Sequence, residues 1–374
     1  MKQIKQLLDK AEVNTGTQEE ISSARALFVI TVAQIHCFIE CTSEEGLAHG
    51  IPYLFDTVIG GPFSAPMLMF AMGICIVYAS HKKWQDLLKR GIRLFVLGFI
   101  LNIARYTIPY LVGFGLTGNY EKYIEPLAYW TFGNDILQFA GLSLCVISLF
   151  MEFRLSDMSM LIIALICSVA GTLLNGIDAG ETAVNIILGH LIGIEDADGM
   201  VMADFVLLNW LIVPVCGYLF GKRLRHVKDK KRLYQLISPG CLLICAVYFS
   251  VGIIGSRGMF GEGQNCYYHI TTPDVIICIL LSLGMLGVHY FVMHHIPQQC
   301  AAVIDKISRE LTSIYCIHWV FVVFITNIFL YIARGTQELS VFQIFLLAIG
   351  ITVLSIWIAD LWKQIVKGKK WGMK

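Results

Sequence analysis

The sequence predicts an all-α integral membrane protein with about ten transmembrane helices and with both termini in the cytoplasm. Of its 374 residues, 56% are hydrophobic and only 15% are charged, and the mean hydropathy is +0.68, which exceeds that of soluble domains. Apolar runs of about 20 residues, each long enough to cross about 30 Å of hydrocarbon, recur along the chain. The formal net charge is +1, so no general attraction to nucleic acid is expected.

The predicted spans follow one another without an intervening soluble domain. They begin near Ile21, Gly60, Ile92, Asp135, Met158, Val201, Pro239, Thr272, Leu311 and Ser340. Residues 17–20 read Thr-Gln-Glu-Glu, a capping-box pattern, so the first helix is predicted to begin near residue 18. Residues 182–194 are apolar but too few to span comfortably, and they are interpreted as an interfacial or re-entrant segment.

Basic residues are distributed unevenly between the two sides of this topology. The inside segments hold 22 lysines and arginines, the outside segments hold three, and the remaining three lie within spans. Cytoplasmic segments of membrane proteins carry such an excess, which supports termini on the inside and argues against an eleventh span. The expected divisions are a cytoplasmic N-terminal segment (1–20) that forms a surface helix, a transmembrane domain (21–362) and a basic cytoplasmic tail (363–374).

The first span carries two ionisable residues, Arg25 and His36. Eleven residues of α-helix turn about 1100° and rise about 16 Å, so both side chains share one face at different depths. A cation in hydrocarbon is costly, so Arg25 is expected either to line a polar cavity or to snorkel to the interface. At position 36 a histidine suits proton transfer because the ordinary pKa of an imidazole lies near neutrality, although a hydrogen-bonded core histidine is the alternative.

A second basic motif stands at the start of the third span. Lys89, Arg90 and Arg93 occupy this position, and Arg90 and Arg93 are neighbours on one helix face. Guanidinium groups beside the backbone N–H groups of a helix N-terminus form a phosphate site. The alternative is an ordinary basic loop on the cytoplasmic side.

These two motifs together resemble a known family. R-x10-H in the first helix followed by R-x-x-R at the head of the third is similar to the acyltransferase-3 family, integral membrane enzymes that move acyl groups, usually acetyl, onto extracytoplasmic glycans. Three segments resemble the branch that contains heparan-alpha-glucosaminide N-acetyltransferase: GGPFSAPMLMFAMG (60–73), KRGIRLFVLGFILNI (89–103) and GNDILQFAGL (133–142). LTSIYCIHWV (311–320) resembles a Tyr-x-x-His helix of the same superfamily.

The resemblance implies a site and a mechanism. An acyl-CoA, expected to be acetyl-CoA, would dock from the cytoplasm with its phosphates near Lys89, Arg90 and Arg93. Its pantetheine arm would extend past Arg25 to His36. The imidazole would act as general base on an acceptor hydroxyl or amine, or would carry the acyl group transiently, and both routes stay open.

Further polar residues within the predicted spans are candidates for substrate binding or support. They are Asn102, Asp135, Gln138, Tyr315 and His318. For Asp135 the alternative is a helix cap, and for His318 it is a core histidine bonded to a backbone carbonyl.

The expected partners are the lipid bilayer, the acyl-CoA and a glycan or amino-sugar acceptor, and the sequence leaves a homodimer open. The acyl-CoA is a co-substrate, and no metal is expected. The expected location is the bacterial cytoplasmic membrane, in which the protein would be an integral, multi-pass component. The alternative function is a multi-pass transporter or flippase of a polar or lipid-linked substrate, although the internal repeats common in such folds are not found.

Overall fold

The computed structural model describes residues 7–80, 83–195, 201–255, 259–260 and 267–371, with side chains through residue 365. Within these ranges the regular structure is helical, and strand-like pairing is limited to isolated β-bridges. The helices of ten or more residues are α1 (Glu19–Cys41), α2 (Ala65–Tyr78), α3 (Trp84–Asn102), α4 (Ile108–Thr117), α5 (Ile136–Glu152), α6 (Asp157–Leu173), α7 (Ile212–Leu224), α8 (Lys230–Ile254), α9 (Thr272–Met293), α10 (Gln298–Arg309), α11 (Leu311–Val323) and α12 (Val341–Trp371).

Shorter helical segments connect these elements. Three are π-helical: π1 (Leu54–Ile59), π2 (Ile103–Thr107) and π3 (Phe324–Leu330). The short α-helices are Glu44–Leu47, Gly50–Tyr53, Tyr120–Tyr123, Leu127–Phe132, Thr182–Leu188, Leu207–Trp210 and Tyr331–Arg334. π-Helical turns are rare and frequently occur at functional sites, so π2 and π3 are of particular interest.

The helices have the length and composition of membrane spans. Six in the described part of the chain are long and apolar enough to cross a bilayer: Glu19–Cys41, Trp84–Thr117, Lys230–Ile254, Thr272–Met293, Leu311–Arg334 and Val341–Ile365. Four shorter apolar helices accompany them: Gly50–Ile59, Ala65–Tyr78, Ile136–Glu152 and Asp157–Leu173. The protein is therefore an all-α, multi-pass membrane protein, while the number of about ten spans and the orientation of the termini stay predictions.

Several helix starts differ from those predicted, among them that of the third span, which was placed from Ile92 but lies in α3, a helix that begins at Trp84. The sixth predicted span was placed from Val201, but α7 begins at Ile212, because the preceding backbone pairs with a loop instead of forming helical bonds. The Asn134 N–H donates to the Met202 carbonyl over 2.9 Å, and the Asp204 N–H donates to the Asn134 carbonyl over 3.2 Å. The seventh predicted span was placed from Pro239, which instead lies inside α8.

The N-terminal segment also differs from expectation. A surface helix was expected, but residues 7–18 contain no helix, and residues 1–6 lie outside the described part. The backbone of this segment bonds instead to the chain that follows α7. The Lys228 N–H donates to the Leu7 carbonyl over 2.8 Å, and the Asp9 N–H donates to the His226 carbonyl over 2.7 Å. Helix α1 begins at Glu19, close to the start that the capping box predicts.

The chain divides into two compact units. The first comprises Met1–Ile21, Ala65–Asn102 and Ala128–His294, and the second comprises Ser22–Ser64, Ile103–Leu127 and His295–Lys374. Within the first unit α3 packs on α5, α2 on α7 and α8 on α9. Within the second unit α11 packs on α12 and on π2.

Close approach of two backbones holds α2 against α7 in the first unit. A Cβ atom on Gly73 would lie 2.1 Å from the Pro214 carbonyl oxygen, and one on Gly217 would lie 2.1 Å from the Phe70 carbonyl oxygen. Membrane helices associate through small residues because hydrocarbon supplies no hydrophobic force between them. The contact therefore depends on the absence of side chains at these two glycines.

We expect Gly73→Ala to destabilise the protein by about 1–3 kcal/mol, the usual effect of overpacking a tight interior. Thermal unfolding of the protein in detergent measures this. Gly240→Ala in α8 is the matched control, because a Cβ atom there meets nothing within 4 Å. Equal unfolding temperatures for the two variants would contradict the close approach of α2 and α7.

Candidate functional site

Ionisable and aromatic side chains meet within the second unit, where they come from α1, π2 and α11. The His36 ring centroid lies 3.8 Å from that of Trp319 and 5.5 Å from that of His318. The Arg105 guanidinium carbon lies 4.5 Å from the centroid of the same Trp319 ring. We call these four residues the imidazole cluster.

His36 has a ring nitrogen that is not held in a hydrogen bond to the described residues, as a reacting imidazole requires. The side chain is half-buried, and its Nδ1 atom is buried with no hydrogen-bond partner among the residues that the structure describes. A core histidine normally satisfies both ring nitrogens. This nitrogen is therefore available to accept or donate a proton, or to form a bond with a substrate.

His318 makes the backbone contact expected of a core histidine and also lies in the imidazole cluster, while a role with substrate stays a prediction. Its side chain is 1% exposed, and its Nδ1 donates to the Ile314 carbonyl over 3.3 Å, as expected of a core histidine. The same ring nevertheless stacks on His36, and Tyr315 meets it edge-on at 5.2 Å. The structure thus brings His36, Tyr315 and His318 together.

Arg105 is the functional candidate for which the sequence analysis gave no role. It is 1% exposed, and its guanidinium stacks on Tyr106 at 4.6 Å as well as on Trp319. Such cation–π contacts stabilise a cation where water is excluded. Arg105 and His318 both interact electrostatically with His36. The feature of the sequence that could have indicated a functional role for Arg105 was its position as a lone arginine inside an apolar span.

A hydrogen-bonded chain begins one helical turn after His36. Glu40 accepts from Asn327 Nδ2 over 3.1 Å, and Asn327 Oδ1 accepts from Gln337 Nε2 over 2.7 Å. Lys122 Nζ lies 3.9 Å from the Tyr331 ring centroid. Burial lowers the pKa of Lys122, and the negative charge of Glu40 opposes that shift. The chain fixes the end of α1 that follows His36.

Arg25 lies on the same unbroken helix as His36 and in the same unit. The continuous helix preserves the eleven-residue spacing, and with it the shared face that the sequence predicts. The Arg25 side chain is half-buried. Its contribution to the site stays a prediction.

A second candidate site lies within the first unit, where a cavity of about 890 Å³ opens between α3 and the end of α7. Its volume is typical of a cofactor or substrate site. The lysines and arginines that line it are Lys83, Lys89, Arg90, Arg93, Lys222, Arg223 and Arg225, and the carboxylates are Glu12, Asp86 and Asp157. We call it the basic cavity. Its cations exceed its carboxylates by four charges, which favours a polyanionic ligand.

The two walls of the basic cavity differ in their ion pairs. On the α3 wall, Lys89 and Arg93 are exposed and form no ion pair with any residue that the structure describes. On the α7 wall, Asp157 pairs with Lys222 and, over 3.2 Å, with Arg223. The predicted phosphate-binding residues Lys89, Arg90 and Arg93 thus line one cavity together.

The predicted supporting residues Asn102, Asp135 and Gln138 meet one another in the first unit. Asn102 Nδ2 donates to the Gly133 carbonyl over 2.9 Å, and Gln138 Nε2 donates to the same carbonyl over 3.3 Å. Asp135 caps α5 by accepting from the Ile136 N–H over 2.6 Å, which confirms the cap interpretation. They hold the loop that precedes α5, and a role in substrate binding stays a prediction.

Metal-ligand groups are absent from the described residues, among which no three His, Cys, Asp or Glu side chains stand where they could hold a metal ion together. The donor sets of the two candidate sites agree with this result. Nitrogen cations line the basic cavity, and the imidazole cluster contains a buried arginine, whose charge would repel a metal ion.

Membrane-spanning helices, a buried imidazole nitrogen with no partner in the described part of the chain and a basic cavity are together typical of an integral membrane group-transfer enzyme. The chain belongs to the acyltransferase-3 family, whose model, described as an acyltransferase domain, matches residues 18–360. No curated protein and no solved structure matches the chain. The match confirms the family resemblance, and the similarity to the heparan-alpha-glucosaminide N-acetyltransferase branch stays a prediction.

Proposed function

We propose that this protein transfers an acyl group, most simply acetyl, from acyl-CoA to a hydroxyl or amine of an extracytoplasmic glycan or amino sugar. The observation that carries the proposal is the buried His36 Nδ1, which has no hydrogen-bond partner among the described residues, beside the cation of Arg105. The proposed location is a bacterial cytoplasmic membrane. Membership of an acyltransferase family favours this enzyme over a transporter or flippase.

The proposed chemistry needs one basic nitrogen. His36 removes the proton of the acceptor O–H or N–H while the acceptor atom bonds to the thioester carbonyl carbon. The carbon–sulfur bond then breaks, and the leaving thiolate takes the proton from His36. In the second route an imidazole nitrogen attacks the thioester carbonyl carbon, the carbon–sulfur bond breaks, and the leaving thiolate takes the proton of the acylated imidazolium. The acceptor atom then bonds to the acyl carbon, the acyl–nitrogen bond breaks, and the released imidazole takes the acceptor proton.

Arg105 is placed to stabilise the charge that either route creates. As the thioester carbonyl is attacked, its oxygen becomes an oxyanion, and a fixed cation in a site that excludes water lowers the energy of this state. Stacking on Tyr106 and Trp319 restricts the guanidinium. The buried Trp319 Nε1, which has no hydrogen-bond partner among the described residues, is a second donor.

We expect His36→Ala to reduce acyl transfer by about 10²–10⁴-fold, the usual contribution of a positioned general base. The assay supplies radiolabelled acetyl-CoA and membrane or glycan extract to the purified protein and measures transferred label. His294→Ala is the control, because that histidine is exposed. Transfer that persists unchanged in His36→Ala would show that His36 is not the reacting residue.

We expect Arg105→Met to lower kcat by about 10²–10³-fold with little change in KM, because the cation acts on charge that develops in the transition state. Arg105→Lys should recover part of the loss, since it keeps the charge but not the planar stacking. Arg334→Met, at an exposed helix end in the same unit, is the control. A rise in KM at constant kcat would instead assign Arg105 to substrate binding.

We expect the double variant Arg90→Ala with Arg93→Ala to weaken CoA binding about tenfold or more, because each guanidinium–phosphate contact contributes about 1.5–3 kcal/mol. Titration calorimetry of the detergent-solubilised protein measures this. The matched control is Lys231→Ala with Arg232→Ala, which removes the same charge from the exposed first turn of α8. If the two double variants bind CoA with equal affinity, Arg90 and Arg93 do not bind phosphate and only mark the cytoplasmic side of the membrane.

A further inference from the structure

The basic cavity has a wall that the R-x-x-R motif does not include. Lys222 and Arg223 stand in the last turn of α7, and Arg225 and His226 follow it. In an ordinary basic loop such side chains would extend into water. Here the Arg225 side chain is only 13% exposed, and its Nε atom is buried with no partner among the described residues.

The N-terminal segment fixes this α7 wall in place. The Val13 N–H donates to the Arg225 carbonyl over 2.8 Å, and Asn14 Nδ2 donates to the Leu224 carbonyl over 3.1 Å. His226 Nδ1 donates to the Ala11 carbonyl over 3.1 Å. A loop that is bonded along its backbone in this way presents its cations at defined positions, as a specific binding site requires.

Carboxylates already occupy the cations of the α7 wall. Glu12 lines the cavity and pairs with Arg225, while Asp157 pairs with Lys222 and Arg223. An anionic ligand must compete with these carboxylates for the same N–H donors. The α3 wall imposes no such competition on Lys89 and Arg93.

We propose that the α7 wall is a second phosphate subsite, which recognises the ribose 3′-phosphate of the CoA donor, while the α3 wall binds the pyrophosphate. The inference rests on the proposed function, and it assigns to each wall the phosphate group of the donor that the wall binds. A phosphomonoester carries a charge of about −1.5 to −2 at neutral pH and three acceptor oxygens. It therefore competes well with a carboxylate, whereas each pyrophosphate group carries a single charge and suits Lys89 and Arg93 of the α3 wall, which form no ion pair with the described residues.

The test compares CoA with 3′-dephospho-CoA, which lacks only the phosphate in question. Titration calorimetry of the full chain in detergent should show that wild type binds CoA about tenfold more tightly, the ratio that corresponds to one charge-assisted contact of about 1.4 kcal/mol. Equal affinities in wild type would overturn the subsite alone. No binding of either compound would overturn the proposed donor, and the subsite with it.

Variants of the α7 wall should remove this discrimination. In Arg225→Gln, CoA affinity should fall to that of 3′-dephospho-CoA, whose own affinity stays unchanged. Arg223→Gln, which changes an exposed side chain, should remove part of the discrimination between CoA and 3′-dephospho-CoA. It replaces Arg225→Gln in the test if that variant does not fold. In Arg93→Gln both affinities should fall by the same factor. The reverse pattern, discrimination lost with Arg93 and kept with Arg225, would overturn the assignment of the walls.

Two further variants sharpen the test. Glu12→Gln should raise the affinity for CoA severalfold without changing that for 3′-dephospho-CoA, because it removes the competitor at Arg225. Lys228→Gln is the matched control: Lys228 also pairs with an N-terminal carboxylate, Asp9, over 3.3 Å, but does not line the cavity. A loss of CoA discrimination in Lys228→Gln equal to that in Arg225→Gln would mean that the loop acts through general charge, not as a subsite.

Discussion

Each charge that this chain buries must be compensated inside the protein, because hydrocarbon supplies neither water nor hydrogen bonds. The structure meets this constraint in two ways. Glu20, which is 1% exposed, pairs with Lys230 Nζ over 2.6 Å and accepts from the Tyr234 hydroxyl over 3.0 Å. Arg105 stacks on aromatic faces such as Trp319, and its charge also interacts with that of Glu40. An ion pair offsets one charge with an opposite charge, whereas cation–π contacts offset it with the electrons of aromatic rings. The imidazole cluster contains contacts of the second kind.

The two candidate sites use their cations under opposite electrostatic conditions. Lys89 and Arg93 are exposed at the basic cavity, where water and salt screen their attraction, so several of them must act together to hold a polyanion. Arg105 is buried, and in an environment of low polarity one cation has a large effect on a developing oxyanion. Seven cations around the cavity and a single arginine in the imidazole cluster therefore suit the two proposed tasks, which are capture of a donor and stabilisation of a transition state.

The parts of the site that follow from regular helices were predictable from the sequence. The spacing of Arg25 and His36 fixes their shared face because α1 is unbroken, and Tyr315 and His318 are one turn apart on α11. Arg105 is visible in the sequence as an arginine inside an apolar span, but its position beside His36 was not predictable. It lies in π2, and a change to π-helical bonding depends on packing that residue spacing does not record. Asn327, which donates a hydrogen bond to Glu40, lies in π3. Its position could not be predicted from α-helical spacing for the same reason. The imidazole cluster thus combines residues whose positions follow from α-helical spacing with Arg105, whose position depends on a π-helical turn.

The constraint that governs the buried charges also explains why a cavity that favours anions contains carboxylates. If neither a ligand nor a carboxylate were present, the cations of the α7 wall would repel one another, and Arg225 would be largely buried without a counter-charge. Glu12 and Asp157 supply that charge and hold the side chains in place. Because they must be displaced on binding, a weakly charged anion gains little at this wall, whereas a phosphate dianion gains more. Carboxylates that stabilise the empty cavity thereby set the minimum charge of the ligand, so that stability without ligand and selectivity for it arise from the same ion pairs.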